Sequence, residues 1–116
     1  MNNTTKNFSS EDLKSIAATI LSQLGGNKFI VMTGSKNFGF SENKKGNAQL
    51  SFHVTRNAVK AQFCTIELTS LDTYNMIFTK LNKKTYELIT IKEEKGLYND
   101  MLQSTFTNVT GLYTSL

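Results

Sequence analysis

The apolar and polar positions divide the chain into an amphipathic opening, a middle with a period of two, and an amphipathic close. Leu13, Ile16, Ala17, Ile20, Leu21 and Leu24 recur at helical spacing and form one stripe. Ser9 stands ahead of that stripe with Asp12 three residues on, the arrangement of a capping box, and Phe8 and Leu13 occupy hydrophobic-staple positions. Gly25 is the stop, because a residue without Cβ takes the left-handed cap conformation at little cost. The pattern predicts a helix over residues 10–24. Residues 1–8 ahead of it are mostly polar and are expected to be flexible.

The stretch Lys28–Thr33 holds four consecutive apolar residues, Phe29 to Met32, which predict a central strand buried on both faces. Gly34, Asn37, Gly39 and Gly46 then predict a long loop from Gly34 to Asn47, a length that in a small domain often carries function. From Leu50 the alternation is clean: Leu50, Phe52 and Val54 to one side, Ser51, His53 and Thr55 to the other. Further strands are expected over Ala61–Leu68, Tyr74–Leu81 and Tyr86–Lys92, joined by short turns, with Glu93–Gly96 ending the sheet. Tyr98, Met101, Leu102, Phe106, Val109 and Leu112 predict a closing helix with Gly111 as its cap. The fold class that follows is α+β, one domain over residues 1–116. An antiparallel sheet of about five strands packs on an N-terminal and a C-terminal helix, and the other sheet face stays open.

Composition narrows the function classes. A chain of 116 residues, 39% of them hydrophobic, can bury a core without a metal or disulfide staple. Its single cysteine, Cys64, cannot form an intramolecular disulfide, which fits a reducing cytoplasm. No apolar run approaches the ~18 residues of a membrane span, and the opening MNNTTKNF lacks a signal-peptide core, so no membrane partner is expected. The net charge of +4 is concentrated: residues 28–60 hold Lys28, Lys36, Lys44, Lys45, Arg56 and Lys60 against Glu42 alone, a local net of +5. Concentrated positive charge attracts polyanions, while a solvated lysine-rich loop is the plain structural alternative.

The chain carries no catalytic signature. His53 is the only histidine and has no marked nucleophile or partner; Cys64 falls on an apolar strand face; together they cannot build a zinc site, and no cofactor is expected. Thr33-Gly34-Ser35-Lys36-Asn37 has the raw materials of an anion nest, but the P-loop spacing is absent. Phe38 and Phe40 lie in the basic loop, and alternation puts Phe63 with His53 on the open face, which makes them stacking candidates beside basic side chains. The competing reading tucks the loop phenylalanines into the core.

The segments MTGSKNF (Met32–Phe38), LSFHV (Leu50–Val54), Asp72-Thr73-Tyr74 and TGLYTSL (Thr110–Leu116) resemble a family of small proteins encoded by bacteriophages and other mobile elements, in which the first motif commonly reads MTGAKNF. Ser35 departs from that pattern. The resemblance covers nearly the whole chain from Ile20 onward and implies a context without an activity. That context suggests a nucleic-acid-binding accessory protein or an inhibitor of a host defence system. More loosely, a helix-backed antiparallel sheet is similar to single-stranded-DNA-binding folds of the transcriptional-coactivator or whirly type. The leading expectation is a non-enzymatic, cytoplasmic protein that binds nucleic acid, single-stranded and with little sequence preference. Lys28, Lys36, Lys44, Lys45, Arg56 and Lys60 would sit on phosphates and Phe38, Phe40 or Phe63 would stack. The alternative is a host-protein partner, and a homodimer through an edge strand or the C-terminal tail is open to either.

Overall fold

A computed structural model describes residues 8–114. Helix α1 (Ser10–Leu24) is followed by α2 (Asn27–Thr33), five strands, a 3-10 turn at Asn99–Met101, and α3 (Leu102–Thr110). The strands are β1 (Lys36–Glu42), β2 (Ala48–His53), β3 (Phe63–Leu68), β4 (Tyr74–Leu81) and β5 (Leu88–Leu97). They form one antiparallel meander in the order β1-β2-β3-β4-β5. The α+β architecture expected from the pattern is therefore present. The flexible start expected over residues 1–8 lies outside the described residues except for Phe8, whose N–H donates to Glu42 Oε1 at 3.2 Å.

Helix α1 begins where its cap signals place it. The Asp12 N–H donates to Ser9 Oγ at 3.1 Å, and the Ser9 N–H donates to Asp12 Oδ2 at 3.2 Å. Ala17, Ile20 and Leu24 bury its stripe, and Gly25 caps it at φ 124°. Helix α3 buries Leu102, Phe106 and Val109 and ends on Gly111, left-handed at φ 78°.

The stretch expected to be the first strand is instead helix α2. Four apolar residues in a row serve either element, and here the neighbours decide. Gly25 and Gly26, both at positive φ, reverse the chain so tightly that a second helix starts at Asn27. Phe29 then enters the core edge-on to Phe52 (5.5 Å between centroids) and Phe106 (5.1 Å). Thr33, one turn later, donates its hydroxyl to the Phe29 carbonyl at 2.7 Å. Val31 points to solvent with 81% exposure, which a doubly buried strand would not allow.

The segment expected to be a loop, Gly34–Asn47, supplies β1 and a hairpin. As an outer strand β1 is exposed along most of its length, so it carries no apolar alternation to read. Asn37 (φ 58°) takes up a bulge between Lys36 and Gly39. The sheet also runs past the expected stop at Lys92, because β5 is the other outer strand and its charges are solvated. Lys92 pairs with Glu94 at 3.4 Å and Lys95 with Glu93 at 4.0 Å, each pair on its own side of the strand.

One face of the sheet packs on the helices. Leu50, Phe52, Cys64, Ile66, Met76 and Phe78 form that face and meet Ile20, Leu24, Phe29, Leu102 and Phe106. Among the described residues no helix packs on the other face, and its outline is set by the loops.

Gly34 joins α2 to β1 at φ +69°, and an added Cβ would lie 2.9 Å from Thr55 Cγ2. Gly39 has open space and no positive φ. Gly34→Ala is expected to cost about 2 kcal/mol, roughly 8 °C or more in Tm, while Gly39→Ala stays within about 0.5 kcal/mol. Thermal unfolding of the two variants beside the parent measures this, and equal losses would contradict the assignment.

Candidate nucleic-acid interface

The open face is built by the odd-numbered residues of the three inner strands. Gln49, Ser51 and His53 stand on β2, Phe63, Thr65 and Glu67 on β3, and Asn75, Ile77 and Thr79 on β4. Most are polar and half-buried, with Ser51 and Thr65 sharing a hydrogen bond of 3.1 Å. The two ends of this face differ in kind.

At one end sits Glu67, whose side chain is 1% exposed. Its Oε1 accepts from Lys45 Nζ at 2.9 Å and Asn75 Nδ2 at 3.1 Å, and its Oε2 from Asn43 Nδ2 at 2.6 Å and Asn47 Nδ2 at 3.1 Å. Burial alone would raise this carboxyl's pKa. The hydrogen bonds from Lys45 and the three amides outweigh it and bring the pKa from 4.5 down to about 2. The β1–β2 hairpin, residues 43–47, is thereby folded down onto the face.

At the other end the register lines up one row across all five strands: Lys36, His53, Phe63, Thr79 and Thr90. With strands about 4.8 Å apart the row is about 19 Å wide. His53 and Phe63 meet edge to face with centroids 4.6 Å apart. Both the β2–β3 connection and the β4–β5 hairpin emerge here. The connection is held rigidly. Asn57 Nδ2 donates to the carbonyls of Thr55 and Ala61, its Oδ1 accepts from Val59 and Ala61, and Thr55 Oγ1 donates to the Thr33 carbonyl at 2.7 Å. Arg56 and Lys60 are exposed on it.

The topology therefore sorts the candidate residues differently from their order in the chain. Lys36, Arg56, Lys60 and Phe63 converge at the His53 end. Lys44 and Lys45 lie at the opposite end on the hairpin, and Lys45 is committed to Glu67. Lys28 sits on α2, in the helix layer. Phe38 is corrected from stacking candidate to core residue: it stacks on Phe52 with centroids 5.1 Å apart. Phe40 keeps a partly exposed ring, but on the side of the sheet opposite Phe63. It pairs with Leu50 on the helix side of the sheet and lines a cavity of about 370 Å³ with Phe8 and Leu13. The bulge at Asn37 sets both rings on that side. The segment with the raw materials of an anion nest is in part closed off, since Ser35 is buried with its Oγ 2.7 Å from Thr33 Oγ1.

Three basic residues outside the 28–60 window join the cluster. Lys80, Lys83 and Lys84 sit at the end of β4 and on the β4–β5 hairpin. The His53 end thus holds six basic residues (Lys36, Arg56, Lys60, Lys80, Lys83, Lys84) and one acidic one, Glu87, a net of +5. The Glu67 end holds Lys44, Lys45 and Lys95 against Glu42, Glu67, Asp72 and Glu94, a net of −1, and Lys92 and Glu93 lie between the two ends and cancel. The basic tip Asn82-Lys83-Lys84 was visible in the sequence; what placed it beside Lys36 was strand order.

Cys64 is fully buried, and burial pushes its thiol pKa well up. Among the described residues no group of three or more His, Cys, Asp or Glu could hold a metal ion. Among them, too, no helix is long and apolar enough to cross a membrane. The apolar C-terminal tail is partly tied down: Leu112 packs on the core and Thr114 Oγ1 donates to Gln103 Oε1 at 3.0 Å, while Ser115 and Leu116 lie outside the described residues. No protein-family model matches the chain, no curated protein matches its sequence, and no solved structure matches it significantly.

The Glu67 cluster sets a pH dependence. The folded pKa lies below the unfolded one, so its stabilisation is complete above pH 4.5 and is lost as pH falls towards 2. Lys45 is 66% exposed and screened by solvent, which holds the expected amount to on the order of 2 kcal/mol. Urea unfolding at pH 6 and pH 3 is expected to lose less stability in Glu67→Gln than in the parent; identical losses would show the carboxylate to be unimportant.

Proposed function

We propose that this protein is a non-enzymatic binder of single-stranded nucleic acid with little sequence preference, and that the His53 end of the open face is its contact surface. The observation that carries the reading is the gathering of six basic residues at the end of the sheet that bears the Lys36–His53–Phe63 row. Lysine and arginine supply sequence-independent attraction to phosphates, and an aromatic ring accepts any base face. Phe63 with His53 is the stacking platform, Lys36, Arg56 and Lys60 the phosphate contacts on one side, and Lys80, Lys83 and Lys84 those on the other. No residue in this role needs to act on a bond. The mobile-element context implied by the MTGSKNF resemblance fits an accessory protein of this kind, acting in the host cytoplasm.

If all six basic residues engage phosphates, log K should fall against log salt with a slope of about −4 on a single strand. Fluorescence anisotropy with a short labelled oligonucleotide measures it. Lys36→Glu should lower affinity and flatten the slope by about one unit or more. Phe63→Ala should cost about tenfold, the scale of one lost base stack. Absence of binding at low salt overturns the reading.

A protein partner is the second reading, favoured by the outer strand β5. No strand pairs with its far edge among the described residues, and Leu88 and Ile89 on it are exposed, with Tyr86 just before. Such an edge can pair with a second copy or with a host protein, in the latter case as an inhibitor of host defence. Sedimentation tests the dimer: a concentration-dependent dimer that Leu88→Glu dissociates would support it, and a monomer throughout would count against it.

A further inference from the structure

The β4–β5 hairpin projects beyond the end of β3. Phe63 pairs with Thr79, but Lys80, Leu81, Leu88 and Ile89 have only each other and Gln62 alongside. Gln62 continues the ladder past β3: its N–H donates to the Thr79 carbonyl at 2.8 Å, and the Leu81 N–H donates to its Oε1 at 2.6 Å. That second bond fixes the side-chain amide and leaves its NH2 group as a positioned donor. Successive residues of a strand face opposite ways, so Gln62, Lys80 and Ile89 lie on the far side from the Phe63–Thr79–Thr90 row.

On that side is a groove of about 550 Å³, within the size range of small-ligand sites. Its chemistry is of three kinds. Lys80, Lys83 and Lys84 line it, and no acidic residue does. Leu81 and Ile89 add apolar surface that is partly exposed. Gln62 and Asn82 contribute amides, and Asn82 is held by accepting from the Lys84 N–H at 2.9 Å. Among the described residues none of the three lysines has an ion pair.

We propose that this groove binds one nucleoside monophosphate unit, with lysines on the phosphate, Ile89 against the face of the base, and the Gln62 amide at its edge. A phosphate alone would use the lysines and leave the apolar side chains idle. An apolar ligand would leave three cations unpaired. A nucleotide uses both. The site shares Lys80, Lys83 and Lys84 with the proposed open-face contacts but uses no part of the His53–Phe63 platform, and a free nucleotide has no need of the row.

Nitrogen–proton correlation spectra of the full chain, titrated separately with thymidine 5′-monophosphate, thymidine and inorganic phosphate, test it. The nucleotide should shift the backbone amides of residues 80–89 and the Gln62 side-chain NH2, and bind at least fivefold more tightly than either fragment. The double variant Lys83→Ala/Lys84→Ala should weaken it fivefold or more. Ile89→Gln should bring the nucleotide down to the affinity of phosphate. Both variants alter the projecting hairpin and leave the core residues untouched, so unchanged spectra elsewhere verify folding. Phe63→Ala should bind the nucleotide like the parent, which separates this site from the open face. Equal affinity for nucleotide and phosphate, or no shifts at residues 80–89, overturns the proposal.

Discussion

A carboxylate buried on the face of a sheet must be satisfied or neutralised, and Glu67 imposes that constraint here. Left alone it would carry a desolvation cost of several kcal/mol or titrate to the neutral acid. It receives four donors instead, three of them from the β1–β2 hairpin. The hairpin must therefore lie on the sheet, and β1 is held at the edge by its own turn. One end of the open face is closed by this arrangement and one lysine is consumed in it. The basic character of the molecule is left to the opposite end, where no helix or hairpin among the described residues folds over the Lys36–His53–Phe63 row.

The second organiser is aromatic. Phe52 on β2 is met by Phe29 from α2, Phe106 from α3 and Phe38 from β1. Edge-to-face contacts need rings at particular angles, about 83° for Phe29 on Phe52. A helix at residues 27–33 delivers Phe29 to that position while Val31 looks outward. Phe38 covers the remaining side of Phe52, so the first outer strand is pinned by its own side chain. Of the three phenylalanines the sequence offered for stacking on a ligand, Phe38 is spent on this cluster, Phe40 faces the helix side, and Phe63 stands on the open face.

How far the residues disclosed this depends on where the deciding interaction lies. Helices α1 and α3, their capping residues and the alternation of β2 to β4 were legible, because each is fixed by local spacing and by one buried face. Residues 27–33 were not, because their identity as helix rests on Phe52 and Phe106, distant in sequence. β1 and the far half of β5 were not, because outer strands carry solvated charges that look like loop. The candidate site was half legible. Phe63 and His53 followed from alternation, but grouping Lys44 and Lys45 with Arg56 assumed that neighbours in sequence are neighbours in space. Antiparallel pairing sends a hairpin tip to the end of the sheet opposite the next connection, so Lys80, Lys83 and Lys84 are the true companions of Arg56 and Lys60.

The lysines of the β4–β5 hairpin invite a duller explanation: outer strands often carry charge to discourage edge-to-edge association. The distribution argues otherwise. Protective charge is most effective on the exposed strand itself, and β5 has it in Lys92, Glu93, Glu94 and Lys95, arranged as two neutralising pairs. Those residues interrupt the edge without creating a net field. Lys83 and Lys84 lie on the turn, off the edge, and the three hairpin lysines have only Glu87 nearby in sequence to offset them. Leu88 and Ile89, the apolar residues that protection would be needed for, remain uncovered by charge at their own positions. Unpaired cations gathered at the end of the sheet that is already the most basic raise the local potential, which is unfavourable for the fold and useful only if an anion comes to relieve it. That self-repulsion, more than any single residue, is the argument for the polyanionic partner proposed at this end of the sheet.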